Sequence, residues 1–373
     1  MINTWIELNK SNLIHNVDQV KKIIGKNVQI AAVIKSNAYG HGLVEISSIL
    51  NKLDAISYLC TAGLSEALEL RKNNISKPIL VMSYNDAPLE EAIKNKIDLT
   101  VYETNTLNQL NLAANKLNTK ASIHIKVDTG LSRLGVPVDQ ALEFINYARQ
   151  LDGILIAGIF THFAESEVEN QEYTELQSNK FKNLLTNLST LNFDIPIKHC
   201  ANSSATLTHQ HSVNMIRTGR ALYGIWSSKF VKEKSTKLHP GLVLKPVLEW
   251  KSRIIQTKTI STDTFVGYKR TFQAKRKTRL AILPIGYWEG LNHGLSNKGH
   301  ILVNGHLVPI VGKICMNLTT IDVTDFPDIQ EGDVATILGN YPGVWLDDWS
   351  EKLDALPLEM ITHLYPQILR KII

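Results

Sequence analysis

Cysteine is scarce and scattered in this chain. Cys60, Cys200 and Cys315 are odd in number, far apart and form no CxxC pair, which excludes a disulfide scaffold and a cysteine-based zinc or redox centre. All three are expected to be reduced. Charge of one sign is also lacking: 40 Lys and Arg against 35 Asp and Glu leave +5 on 373 residues. The one dense basic run, Lys275-Arg276-Lys277-Thr278-Arg279, has no second basic stripe to extend it, so no nucleic-acid partner is expected. No uninterrupted apolar run approaches the roughly 18 residues of a membrane span, and MINTWIELNKSN lacks the basic-then-apolar layout of a secretory signal. No membrane partner and a cytoplasmic location are expected. With 44% apolar residues, disorder and collagen-like repeats are excluded as well. A domain commonly takes about 100–200 residues, so this length suggests two.

What is present is a regular alternation. SNLIHNVDQVKKII (11–24) has the spacing of an amphipathic helix opened by Ser11, and VQIAAVIKS (28–36) reads as a buried strand. Further apolar runs at 55–62, 78–84, 97–103, 121–128, 154–163, 195–200 and 214–217 are separated by helical patterns such as GLSEALELRKNN and PVDQALEFINYARQL. Near-continuous apolar strands are buried on both faces, as in a parallel sheet covered by helices. Eight such units predict a (β/α)8 barrel of the TIM type, with an open doubly wound sheet as the competing arrangement. The pattern changes near residue 226, where SSKFVKEKSTKLHPG reads as a polar linker, and strand-like runs follow, with Asn304-Gly305 as a hairpin signal. The expected division is a barrel over residues 1–230 and a mostly β domain over 231–373.

A closed barrel carries its active site at the C-terminal ends of its strands, often with a phosphate site at the loops after strands 7 and 8. Those ends are crowded with functional side chains: Lys35 after strand 1, Lys126 and Arg133 at strand 5, His162 at strand 6, His199, Asn202 and Ser203 at strand 7, and Arg217, Gly219, Arg220 and Tyr223 at strand 8. Closure would set Lys35 beside strand 8, where Ser203 and Gly219 offer phosphate donors. A lysine next to a phosphate site fits a Schiff base with pyridoxal 5'-phosphate (PLP); a strand-end lysine reaching solvent is the structural alternative.

Set side by side, AAVIKSNAYGHG, KVDTGLSRLG, FTHFA, HCANSSAT, RTGRALYGI, VGYKRTF, ILPIGYWEG and CMNLTTIDVT resemble, in order and spacing, the alanine racemases, PLP enzymes of fold type III, over essentially the whole chain. The resemblance implies that Lys35 holds PLP and acts as one base. It implies that Tyr268, contributed by a second subunit of a homodimer, is the opposing base. Inversion at carbon needs both, because a proton leaves one face and returns to the other. His162 and Arg217 match a chain running from the tyrosine to the cofactor's ring nitrogen. Arg133 matches a contact to the cofactor and to the substrate carboxylate, and Lys126 a lysine that can be carboxylated to orient it. Tyr39, Ser203, Gly219, Arg220 and Tyr223, with Asn202 and His199 behind them, match phosphate-side and cofactor-wall positions. Met316 would supply a backbone donor to the substrate, and Tyr287 would narrow the entrance.

The implied activity is interconversion of L- and D-alanine, supplying D-alanine for peptidoglycan, with serine or broader substrates as the alternative. Some positions depart from the pattern. Asn317 stands where many members have aspartate, Thr218 replaces a common proline, and Pro366 occupies a place where some members have a phosphate-contacting tyrosine. A fold type III decarboxylase lacks support because its cysteine-centred motif is missing. The β domain bearing Tyr268 argues against a non-catalytic PLP carrier, and no HxH or HExxH pairing supports a metal-dependent hydrolase built on His162, His199 and Asp128.

Overall fold

The computed structural model describes residues 3–208 and 213–373. The chain divides into two compact units. One comprises Ser11–Ser36 and Ile46–Lys245; the other comprises the described residues up to Lys10, Asn37–Glu45, and Pro246–Ile373.

The first unit is a closed parallel barrel. Its eight strands, in chain order, are Gln29–Val33, Ile56–Gly63, Ile79–Tyr84, Asp98–Val101, Ala121–Asp128, Ile154–Phe160, Ile197–His199 and Met215–Thr218. Neighbours in space follow that order, and the ring closes where the first strand pairs with the eighth, Ala31 opposite Arg217. These are the runs expected from the sequence, and the reason is visible in their burial. Ile30, Ala31 and Ala32 are fully buried, one face turned to the barrel interior and the other to the helices. The helices read as one-sided: Ala141–Arg149 buries Ala141, Phe144, Ile145 and Ala148, a stripe at the helical period.

The second unit is mostly β. Its six-stranded sheet places Thr4–Leu8 between Leu248–Arg253, antiparallel, and Leu369–Ile372, parallel, so both ends of the chain lie in one sheet. Leu248–Arg253 also pairs with Val334–Leu338, which leads to the hairpin of His300–Val303 and His306–Pro309. Its turn is the expected Asn304-Gly305, with φ of 50° and 82°. A three-stranded sheet of Gln256–Ile260, Thr278–Leu283 and Thr319–Asp322 lies in the same unit.

One expectation is corrected. The stretch read as a polar linker, 227–241, holds a helix, Lys229–Leu238. Ser228 caps it by accepting a hydrogen bond from the Val231 amide, and Val231 and Ser235 are buried. Its lysines line an exposed face, and that polarity masked the helix.

Candidate functional site at the barrel mouth

The barrel's strand ends gather an excess of positive charge. Lys35 is partly buried, and its pKa is lowered by burial and by Arg133, with Arg220 adding to the effect and Glu66 opposing it. Lys126, on the fifth strand, is only 4% exposed. Burial first, then Arg217, Arg133 and Lys35, bring its pKa down to about 8. Asp128, the nearest counter-charge on that strand, is already used: its Oδ1 accepts from the amides of Gly130, Leu131 and Ser132, shaping the turn that leads to Arg133.

Phosphate-type donors lie one loop away. The Gly219 amide donates to Ser203 Oγ at 3.0 Å, and Ser203 Oγ meets Thr218 Oγ1 at 3.2 Å, so the threonine found in place of proline joins this hydroxyl pair. Tyr223 is buried and donates to the Val33 carbonyl, tying the eighth-strand segment to the first strand. Asn202 Oδ1 accepts from Ser166 Oγ and from the Ala205 amide, closing the first turn of Ser203–Thr208. Arg220 reaches the Ser227 carbonyl only at 3.5 Å.

Arg217 sits at the centre of a second group. It is buried, and burial lowers its pKa to about 10. Nη1 donates to His199 Nδ1 at 2.7 Å, while Nη2 donates to the carbonyls of Thr161 and Cys200 and lies 3.1 Å from His162 Nδ1. Burial and this guanidinium hold the pKa of both histidines well below the ordinary value, so both are neutral. An arginine can only donate, hence His162 Nδ1 accepts and its proton lies on Nε2. His199 stacks on Phe160, ring centroids 4.6 Å apart, and meets His124 Nδ1 with its remaining nitrogen at 2.9 Å. No ring nitrogen of His199 is left for a ligand, which puts the residue behind Arg217.

Immediately after Lys35 the backbone makes one left-handed turn: Ser36, Asn37, Ala38 and Tyr39 have φ of 55°, 55°, 52° and 54°. None is glycine, and such a conformation costs roughly 1–2 kcal/mol per residue. Local bonds offset it. The Gly42 amide donates to the Asn37 carbonyl, the His41 amide to Ala38, and the Leu43 amide to Asn37 Oδ1. Within the second unit, Arg370 fastens the turn by donating from Nε and Nη2 to the Gly40 carbonyl. Gly40 has φ of +81°, and a Cβ there would fall 1.8 Å from the Ile361 carbonyl oxygen.

Tyr268 lies in the second unit, in the turn of a short hairpin, Phe265–Val266 with Phe272–Gln273. Gly312, at φ of +75°, lets the hairpin pack closely: a Cβ there would meet the Val266 carbonyl at 2.9 Å. Tyr268 is 72% exposed and Met316 53%. With Tyr287, His293, Lys269 and Lys313 they line a cavity of about 350 Å³. Tyr287 is not in a strand, and it is exposed rather than core. Asn317 Nδ2 donates to Glu289 Oε1 at 2.7 Å, which keeps a carboxylate beside the position where many members carry aspartate.

Family models for the alanine racemase N-terminal and C-terminal domains match residues 8–227 and 247–372. The chain belongs to the alanine racemase family. It is 37% identical over 362 residues to the alanine racemase of Methanococcus maripaludis, covering 96% of this chain and 95% of that one. The alanine racemase of Clostridium difficile 630 superposes with a TM-score of 0.93 at 31% identity, covering all of this chain and 96% of that one. That of Bartonella henselae, described with covalently bound pyridoxal phosphate, gives 0.84 at 26% identity over both full lengths. Family membership makes the chain an isomerase of the amino-acid racemase class, and among the described residues no helix is long and apolar enough to cross a membrane.

The barrel thus brings Arg133, Arg220 and Lys126 into electrostatic reach of Lys35, and Arg217 and Arg133 into reach of Lys126, with Ser203 and Gly219 in hydrogen-bond contact. Sequence reading missed Asp98 and His124, which extend the Arg217 group inward. His124 is two residues before Lys126 and so shares its face of the strand, a period-two signal that would have found it.

Proposed function

We propose that the chain racemises alanine with PLP held on Lys35, in a homodimer whose sites each take Tyr268 and Met316 of the partner subunit, and that its D-alanine supplies peptidoglycan in the cytoplasm. The observation that carries this reading is the cluster of cations at the barrel mouth, which outnumber the carboxylates of Glu66 and Asp128 that oppose them. Such a site fits an anionic, phosphate-bearing group and a carboxylate substrate. Ser203, the Gly219 amide and Arg220 would take the phosphate, Tyr39 and Tyr223 would wall the cofactor, and Asn202 would set the Ser203 turn.

When bound, PLP supplies the electron withdrawal that makes the substrate's Cα–H acidic. Lys35 Nζ, whose pKa burial and Arg133 lower, would move a proton on one face of Cα. Tyr268 Oη of the partner subunit would serve the opposite face, which its exposure in its own unit supports. His162 would relay the tyrosine's proton through its Nε2, and Arg217 would keep a donor, not an acid, opposite the ring nitrogen. Arg133 would orient the substrate carboxylate, with Lys126 behind it.

Mixing two inactive variants, Lys35→Ala and Tyr268→Phe, tests the shared site. Random dimers would regain about a quarter of the wild-type racemisation of alanine, because half are mixed and each mixed dimer holds one intact site. No recovery after subunit exchange would refute the shared site, and a PLP-loaded wild type that leaves alanine optically unchanged, assayed beside a panel of other amino acids, would refute the racemase reading.

A further inference from the structure

The Arg217 group does not end at His199. His124, fully buried on the fifth strand, joins it at 2.9 Å, and its far nitrogen, Nε2, lies 3.5 Å from Asp98 Oδ2 at the start of the fourth strand. The last link is longer than a good hydrogen bond, and Nε2 has no other partner among the described residues.

Donor and acceptor roles along this row follow from one end. Arg217 Nη1 can only donate, so His199 Nδ1 is bare and His199 Nε2 carries the proton. That proton points at His124 Nδ1, which must also be bare, and His124 then carries its own proton on Nε2, facing Asp98. Every hydrogen along the row is directed from Arg217 toward the carboxylate, and a protonated His199 would set two donors against each other.

Asp98 is equipped to be the anionic end. Burial would raise its pKa, yet His124 first, then Ser122 and Tyr58, outweigh burial and hold the carboxyl below its ordinary value. The other ionisable groups facing it are Arg71, from the helix Leu64–Lys72, and Cys60, whose thiol burial pushes up to about 12 and keeps neutral. Arg217, at the other end, keeps its Nε–H without a protein partner among the described residues.

We propose that Asp98 is a positioning residue for racemisation: through His124 and His199 it fixes a single tautomer along the row and so holds the Arg217 guanidinium in the orientation that presents a donor to the cofactor ring. This rests on the PLP reading above. The design parallels the buried aspartate of a catalytic triad, which holds an imidazole in one tautomer without itself taking the proton. Here two imidazoles stand between the carboxylate and the group it orients.

The test is ¹⁵N spectroscopy of the histidine-labelled holoenzyme, with racemase activity measured on the same sample. His124 and His199 should both be neutral with Nε2 protonated and Nδ1 bare. Asp98→Asn should leave PLP content and Tm near wild type, populate the Nδ1-protonated tautomer, and lower kcat by about 10- to 100-fold with little change in KM. Mixed tautomers or a protonated His199 in the unmutated enzyme overturn the proposal whether or not the variant folds. So does an Asp98→Asn enzyme with unchanged kcat. A PLP-loaded wild type that is inactive would instead overturn the racemase reading, leaving the tautomer measurement to stand by itself.

Discussion

Lys126 is expected to react with carbon dioxide, and the gain in reactive amine can be worked out. Carbamate formation joins a neutral amine to CO₂ and releases one proton, so the rate and extent follow the fraction of free amine. The pKa falls from 10.5 to about 8, a shift of 10.5 − 8 = 2.5, which raises the neutral fraction near pH 7 by about 300-fold over an exposed lysine. The sign for stability is consistent with this. Between pH 8 and 10.5 the unfolded chain binds the proton that the folded chain has lost, so stability rises with pH across that window, and below pH 8 the buried ammonium is a standing penalty beside Arg217 and Arg133. Carboxylation turns that cation into an anion and converts the repulsion into attraction, fixing Arg133. In ¹³C-bicarbonate at pH 8 the holoenzyme should show one carbamate carbon that disappears in Lys126→Gln. That variant should raise KM for alanine by about 10-fold or more, since Arg133 loses its orienting partner. Absence of the carbamate signal at saturating bicarbonate, or an unchanged KM in the variant, refutes the reasoning.

Two glycine substitutions probe the supports of the site. Gly40→Ala places a Cβ 1.8 Å from the Ile361 carbonyl at a positive φ, and should cost about 2–5 kcal/mol, read as a Tm lower by several degrees; an unchanged Tm would contradict the close approach. Gly158→Ala puts its methyl 2.3 Å from His124 Nδ1, so it should lower stability by about 1–3 kcal/mol and reduce kcat while PLP stays bound; wild-type kcat would show that the His124 position does not matter.

The barrel was legible because burial on both faces writes itself as continuous apolar runs, and the runs at 28–36 and 121–128 hold the strands Gln29–Val33 and Ala121–Asp128. Lys35 and Arg217 could be placed side by side at the mouth because barrel closure alone makes the first and eighth strands neighbours. The helix Lys229–Leu238 was hidden because only Val231 and Ser235 of its ten residues are buried, too few for a visible stripe. The left-handed turn at Ser36–Tyr39 was hidden for a different reason: it contains no glycine, and its φ values are imposed by contacts to Gly42, Leu43 and Arg370, the last more than 300 residues away. Asp98 read as the polar start of an apolar strand, and only the ring of neighbours gives it His124 as a partner.

The placement of Thr4–Leu8 between Leu248–Arg253 and Leu369–Ile372 has a consequence for biosynthesis. Thr4–Leu8 leaves the ribosome more than 200 residues ahead of its antiparallel neighbour, Leu248–Arg253, and more than 350 ahead of its parallel one, Leu369–Ile372. Deleting Leu369–Ile372 would strip a partner from this early segment and leave its edge open to pairing with another nascent chain. A change at Leu369–Ile372 is therefore felt directly at Thr4–Leu8.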